Sequence, residues 1–208
     1  MADYDARADT LARLAGPEAD AAALDVLQDL AAEGIRLAPI GPVYEALARG
    51  ETAPLTVPAF NVRGLVYDVA RGIYRRMAQR DALAVMFELA PSEAATGHQT
   101  FTQYAALVAL AAAREGHRGP VFVQGDHFSL EQDTVEARQD LTAAARKLMA
   151  AGYRQIDLDA AALATDGGTA AERQLPNAVA TAGLLQALAA DAPEGMIFGG
   201  EVGEIGGQ

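Results

Sequence analysis

Asp126 and His127 stand side by side just past the apolar run Pro120-Val121-Phe122-Val123, after Gln124-Gly125. Neutral imidazole is a common ligand for zinc and related ions, and an adjacent carboxyl can move a proton on a substrate held by such a metal. Two other apolar runs also lead into acids: Asp157 and Asp159 after Ile156, and Glu201 after Met196-Ile197-Phe198-Gly199-Gly200. If each run is a buried parallel strand, its C-terminal tip is where α/β proteins gather their chemistry. Acids and a histidine converging on one rim point to a metal-assisted enzyme. Asp157 and Asp159 lie two apart, so they share a strand face and repel each other unless a cation or donor offsets them.

Each of these residues also has a plain structural use. Asp126 or Ser129 can cap a helix starting near Leu130, and one of Asp157 and Asp159 can cap a short turn. The glycines around Glu201, from Gly199 to Gly207, signal close backbone approach or positive φ, or simply a surface loop. Asn61 ends another apolar run and can hydrogen-bond a substrate hydroxyl. Ser92, in Ala90-Pro91-Ser92-Glu93, can meet a phosphate oxygen or cap a helix. His98 and His117 do not end a run and read as solvated side chains.

The elements that must position these residues follow a regular pattern. Helical spacing of apolar residues covers 6–14 and 21–30, separated by Gly16-Pro17 and stopped at Gly34, so residues 1–36 read as a helical N-terminal extension. From residue 42 the pattern predicts a short helix to Arg49. It then predicts strands over 55–62, 83–89, 120–125, 153–158 and 196–202, with helices over 65–78, 102–115, 130–151 and 176–190 between them. Repeated strand–helix alternation marks βα units on a parallel sheet. The first βα turn, Asn61-Val62-Arg63-Gly64, lacks a Gly-x-Gly-x-x-Gly fingerprint, which favours a (β/α)8 TIM barrel over a dinucleotide-binding sheet. Five strands are visible where a barrel needs eight and ~250 residues, so residues 37–208 read as the first five βα units of a longer protein.

Composition narrows the partners. The 208 residues contain no Cys, which excludes disulfides, thiolate zinc sites and cysteine nucleophiles and fits a reducing cytoplasm. A formal net charge of −12 argues against nucleic-acid binding. No apolar run approaches the ~20 residues of a membrane span, and the N-terminus carries no secretory signal.

Five segments in order resemble the class II, metal-dependent ketose-bisphosphate aldolases. They are Val57-Pro58-Ala59-Phe60-Asn61-Val62, Ser92-Glu93, Val123-Gln124-Gly125-Asp126-His127, Ile156-Asp157, and Glu201-Val202-Gly203 with Gly206-Gly207. The resemblance implies a TIM barrel that makes or cleaves a C–C bond between a ketose phosphate donor and an aldehyde, through a zinc-stabilised enediolate. It implies Zn2+ or another divalent cation, a small phosphorylated sugar as substrate, a cytoplasmic location and a homo-oligomer. By position, His127 would ligate the catalytic metal, Asp157 and Glu201 would hold a second or alternate cation, and Asp126 would shuttle the proton. Asn61, Ser92, Gly203, Gly206 and Gly207 would contact substrate.

The chain also departs from that family. It has three histidines in all, and His98 and His117 are not at the family's other ligand positions; Gly199 stands where many members carry an acid. The expectation is therefore an aldolase portion that is inactive by itself. The alternatives are a non-catalytic accessory subunit of an aldolase system and a metal-dependent barrel lyase of other chemistry.

Overall fold

The protein is described here by a computed structural model covering residues 3–80, 82 and 84–203. It is an α/β fold built on a parallel sheet. Helices α1 (Tyr4–Ala12) and α2 (Gly16–Ala32) come first, then β1 (Arg36–Leu37), α3 (Gly41–Ala48), β2 (Ala59–Asn61) and α4 (Val66–Gln79). Next come β3 (Met86–Leu89), α5 (Pro91–Thr96), α6 (Phe101–Arg114), β4 (Pro120–Ser129) and α7 (Val135–Ala150). The described part ends with β5 (Gln155–Asp159), a 3-10 turn (Ala161–Leu163), α8 (Ala170–Ala189) and β6 (Ile197–Gly200).

The five anticipated strands are β2 to β6, and they lie in the sheet in chain order, each parallel to the next. The very short β1, which has no hydrophobic run to announce it, pairs with the beginning of β4. Because pleated residues alternate between faces, the register sorts the side chains into two sets. Phe87, Leu89, Val123, Ile156 and Leu158 belong to one large core together with residues of α4, α6, α7 and α8. The other face carries the cross-strand row Asn61, Glu88, Gln124, Gln155 and Ile197. A small apolar plug of Ile40, Ala84, Met86 and Phe122 underlies that row, with Val43 of α3 against it. The four long crossover helices thus cover one face, and the second face holds the polar side chains.

Helix α6 is the centre of the large core. Its sequence, Thr-Gln-Tyr-Ala-Ala-Leu-Val-Ala-Leu-Ala-Ala-Ala after Phe101, is apolar around the whole circumference, and Thr102 to Ala113 are all buried. Such a helix must be covered on every side. Helices α1 and α2 supply one side, so the N-terminal pair and residues 37 onward share one hydrophobic cluster. Gln103, the one amide in this wall, is satisfied by donating to the carbonyls of Leu11 and Leu14 at 2.7 and 3.1 Å, where α1 ends.

The strand expected over 55–62 shortens to Ala59–Asn61 and that over 196–202 to Ile197–Gly200, and two helix starts differ as well. The helix expected from Leu130 begins at Val135, capped by Thr134, because β4 runs on through Ser129; neither Asp126 nor Ser129 caps it. The helix expected from Pro176 begins at Ala170, where Thr169 and Glu172 form a reciprocal cap, and Pro176 lies inside it. A proline at the first turn and a proline tolerated within a helix look alike in sequence, and here the capping pair was the better signal. The short α5, which carries Ser92, lies in a stretch whose sequence pattern predicts no element.

Gly125 sets the distance between β4 and α7. A Cβ there would fall 2.5 Å from Leu148 Cδ2 and 2.8 Å from Phe128 Cε2, both in the packed core. Gly125→Ala is therefore expected to destabilise the fold by about 1–3 kcal/mol, the usual cost of overpacking. Urea denaturation at constant m-value checks this, and an unchanged midpoint would contradict it.

Candidate metal centre

The site is made by an irregularity in β4. Gly125 pairs with Ile156 and Phe128 with Leu158, so two residues of β4, Asp126 and His127, stand against the single residue Asp157 of β5. This is a β-bulge, and His127 takes the left-handed conformation with φ +47°. Regular alternation would send two consecutive side chains to opposite faces. The bulge turns His127 back, bringing its Nε2 3.5 Å from Asp126 Oδ2 on the polar face.

The other ring nitrogen meets two acids from neighbouring strand ends. His127 Nδ1 lies 2.9 Å from Glu201 Oε1 and 3.5 Å from Asp159 Oδ2. Asp159 is held in place, since its Oδ1 accepts from the Ala161 N–H at 2.9 Å and its Oδ2 from Ser129 Oγ at 3.1 Å. Glu201 is fixed through its backbone, its carbonyl accepting from the buried Asn177 side chain of α8 at 2.8 Å. Asp157 is buried next to them, and its Oδ2 has no hydrogen-bond partner among the described residues. A Cβ on Gly199, directly beside it in β6, would sit 2.7 Å from Asp157 Oδ1. Glycine at that position leaves the carboxyl its room.

Crowding acids in a half-dry pocket changes their proton affinity. Burial, then hydrogen bonding to Glu201 and the charges of Glu201 and Asp126, push the Asp157 carboxyl up to about 7. Burial likewise raises Asp126 and Glu88, and the Asp126 charge adds to the effect at Glu88. At His127 burial opposes the charged ring, but Asp126, Glu201 and Asp159 together outweigh it and raise its pKa.

These residues suit a divalent cation. One ligand atom each from Asp126, His127 and Asp157, and likewise from His127, Asp159 and Glu201, lie within 4.8 Å of one another. The donor set is one imidazole nitrogen with carboxylate oxygens, which suits zinc, manganese, cobalt or iron. The unpartnered buried oxygen of Asp157 is the kind of group a cation would satisfy.

The structure thus brings together Asp126, His127, Asp157 and Glu201, and adds Asp159. Asn61 lies in the same polar row but is engaged, donating to Glu93 Oε2 at 2.7 Å. Ser92 is exposed on the first turn of α5. Gly203 is buried, and its N–H and C=O are both taken by the Gln174 side chain of α8 at 3.1 and 3.2 Å. Gly206 and Gly207 lie outside the described residues. His98 is exposed, and His117 bonds the Pro120 carbonyl; neither belongs to the cluster. Glu88 and Gln124, in the polar row, escaped the sequence reading. The polar residues at alternate positions of Met86-Phe87-Glu88 and Val123-Gln124-Gly125-Asp126 were the available signal.

No helix among the described residues is long and apolar enough to cross a membrane. A scan against protein-family models returns no match for this chain, and a search of the curated proteins returns none either.

The raised Asp157 carboxyl has a consequence for stability. The folded state keeps a proton that the unfolded chain releases near pH 3.8, so this contribution is present below that pH and lost as pH rises through about 7. Without metal, Asp157→Asn is expected to be more stable than the parent at pH 8.5 by on the order of 1–3 kcal/mol, with the gain shrinking toward pH 4. Denaturant titrations in chelator at both pH values check this; a difference independent of pH would contradict it.

Proposed function

We propose that this chain carries the first half of a class II-type aldolase barrel, acting on a small phosphorylated ketose in the cytoplasm. The observation that carries the reading is the bulge-borne His127, with Asp126 on one side and the unpartnered Oδ2 of Asp157 close by, at the C-terminal ends of parallel strands. The unbroken chain order of β2 to β6, with all long crossover helices on one face, supports a (β/α)8 barrel over a doubly wound sheet, which reverses its order and covers both faces. The five ordered segments that resemble the family support the substrate class.

In this reading His127 would ligate the cation, with Asp157 on one side of the imidazole and Asp159 and Glu201 on the other as alternate carboxylate ligands. A divalent cation bound there supplies Lewis-acid polarisation of the donor carbonyl. Asp126 takes the proton from the substrate hydroxyl next to the bond that breaks; as that oxygen becomes a carbonyl, the C–C electron pair moves toward the donor half. In the reverse direction Asp126 returns the proton. Burial, which raises its proton affinity, suits Asp126 to both steps.

A second reading, a non-catalytic subunit that stabilises an aldolase partner, is favoured by one observation. Among the described residues His127 is the one histidine in the cluster, so few nitrogen donors are present.

Turnover by the 208 residues alone is expected to be negligible, so the first readout is metal binding. Calorimetry of the chelator-stripped chain with Zn2+, and visible absorption with Co2+, are expected to show one site. His127→Ala is expected to weaken it at least about tenfold, the scale of losing a ligand or its support, and to weaken it more than Asp126→Asn, which keeps an oxygen at that position. Equal Zn2+ binding by the parent and His127→Ala would rule out the metal-dependent readings. Zn2+ binding with no cleavage of a ketose phosphate that Asp126→Asn abolishes, in a chain carrying the remaining strands, would favour the accessory role.

A further inference from the structure

The polar end of this sheet is strongly acidic. Glu88, Glu93, Asp126, Asp157, Asp159 and Glu201 all lie at or just beyond strand ends there, in a chain of net charge −12. A phosphorylated substrate approaching this rim meets repulsion from every side. Among the described residues, the loops leaving the C-terminal ends of β2 to β6 contribute one Lys or Arg side chain, Arg63, two residues past the end of β2.

Arg63 is held in an unusual way for an exposed arginine. Its Nε lies 2.6 Å from Glu93 Oε1 and donates to Asn61 Oδ1 at 3.1 Å. Glu93 is itself fixed. Its side chain is 15% exposed, and its Oε2 accepts from the Ala90 N–H at 3.0 Å and from Asn61 Nδ2 at 2.7 Å. The Arg63 side chain is nevertheless 71% exposed, and neither Nη nitrogen donates a hydrogen bond among the described residues. A guanidinium pinned at Nε keeps its two Nη groups free in a fixed orientation, the fork that matches two oxygens of one anion. Ordering a long side chain on binding costs about 0.5–1.5 kcal/mol, and here Glu93 and Asn61 have already ordered it.

We propose that Arg63 is a phosphate anchor of this rim, its two Nη groups receiving the phosphate monoester of the substrate, with Glu93 and Asn61 as its positioning residues. The assignment rests on the reading of the rim as a site for phosphorylated ketoses. It gives Asn61 a different part from direct substrate contact: its side chain is engaged between Glu93 and Arg63.

The probes are dihydroxyacetone phosphate and unphosphorylated dihydroxyacetone, titrated calorimetrically into the full chain with and without Zn2+. The parent is expected to bind the phosphate ester more tightly than the free ketose. Arg63→Ala is expected to weaken the ester about 10–100-fold and leave the free ketose unchanged, and Arg63→Lys to fall between, since an ammonium keeps charge but not the fork. Circular dichroism confirms that the exposed substitution leaves the fold intact. Equal ester affinity for the parent and Arg63→Ala, or no preference of the parent for the ester, would overturn the assignment. Arg63-dependent ester binding in a chain whose Zn2+ affinity is indifferent to His127→Ala would uphold the anchor and remove the aldolase reading alone.

Discussion

The site depends on one irregular pairing, two residues of β4 against one of β5. In a regular parallel ladder Asp126 and His127 would face opposite sides, and the imidazole would point into the apolar layer between sheet and helices. The bulge keeps both on the polar face, where His127 comes within reach of Asp126, Asp159 and Glu201. A non-glycine residue at positive φ is unfavourable in isolation, and it persists because the strands on either side are fixed by packing. Phe128 and Leu158 are fully buried just beyond the bulge, and Gly125 just before it lets α7 approach; between them the chain has no freedom to relax into alternation.

Two kinds of force meet at this sheet. One face is held by hydrophobic burial against α4, α6, α7 and α8, with α6 so deeply enclosed that α1 and α2 are needed to cover it. The other face concentrates like charges at the strand ends, an arrangement that stabilises nothing by itself. Asp157 keeps a proton near neutral pH, and His127 is drawn toward the charged form, because each relieves the same excess of negative charge. A rim this acidic suits cation binding. The burial of the opposite face carries the fold while the rim remains electrostatically unsatisfied.

The polar row also shows how second-layer residues prepare a surface. Glu93 and Asn61 hold Arg63, Ser129 and the Ala161 N–H hold Asp159, and Asn177 holds the backbone of Glu201. Each functional side chain is thus steered by a partner from another strand or helix, which is the usual way that a loosely packed rim acquires fixed geometry.

Much of this was readable from residue order alone. The strands β2 to β6, the parallel α/β class and the convergence of Asp126, His127, Asp157 and Glu201 follow from apolar runs ending in polar residues, because burial and the period of the strand act locally. Other features needed the folded chain. The two-residue β1 has no pattern of its own and exists only because β4 offers it a partner. The starts of α7 and α8 were set by where β4 ended and by the Thr169–Glu172 cap rather than by the nearest apolar residue or proline. The bulge at His127, the room over Asp157 left by Gly199, and the grip of Glu93 on Arg63 depend on contacts between residues far apart in the chain. Local spacing names the side chains that can do chemistry; cross-strand register and packing decide which way they point.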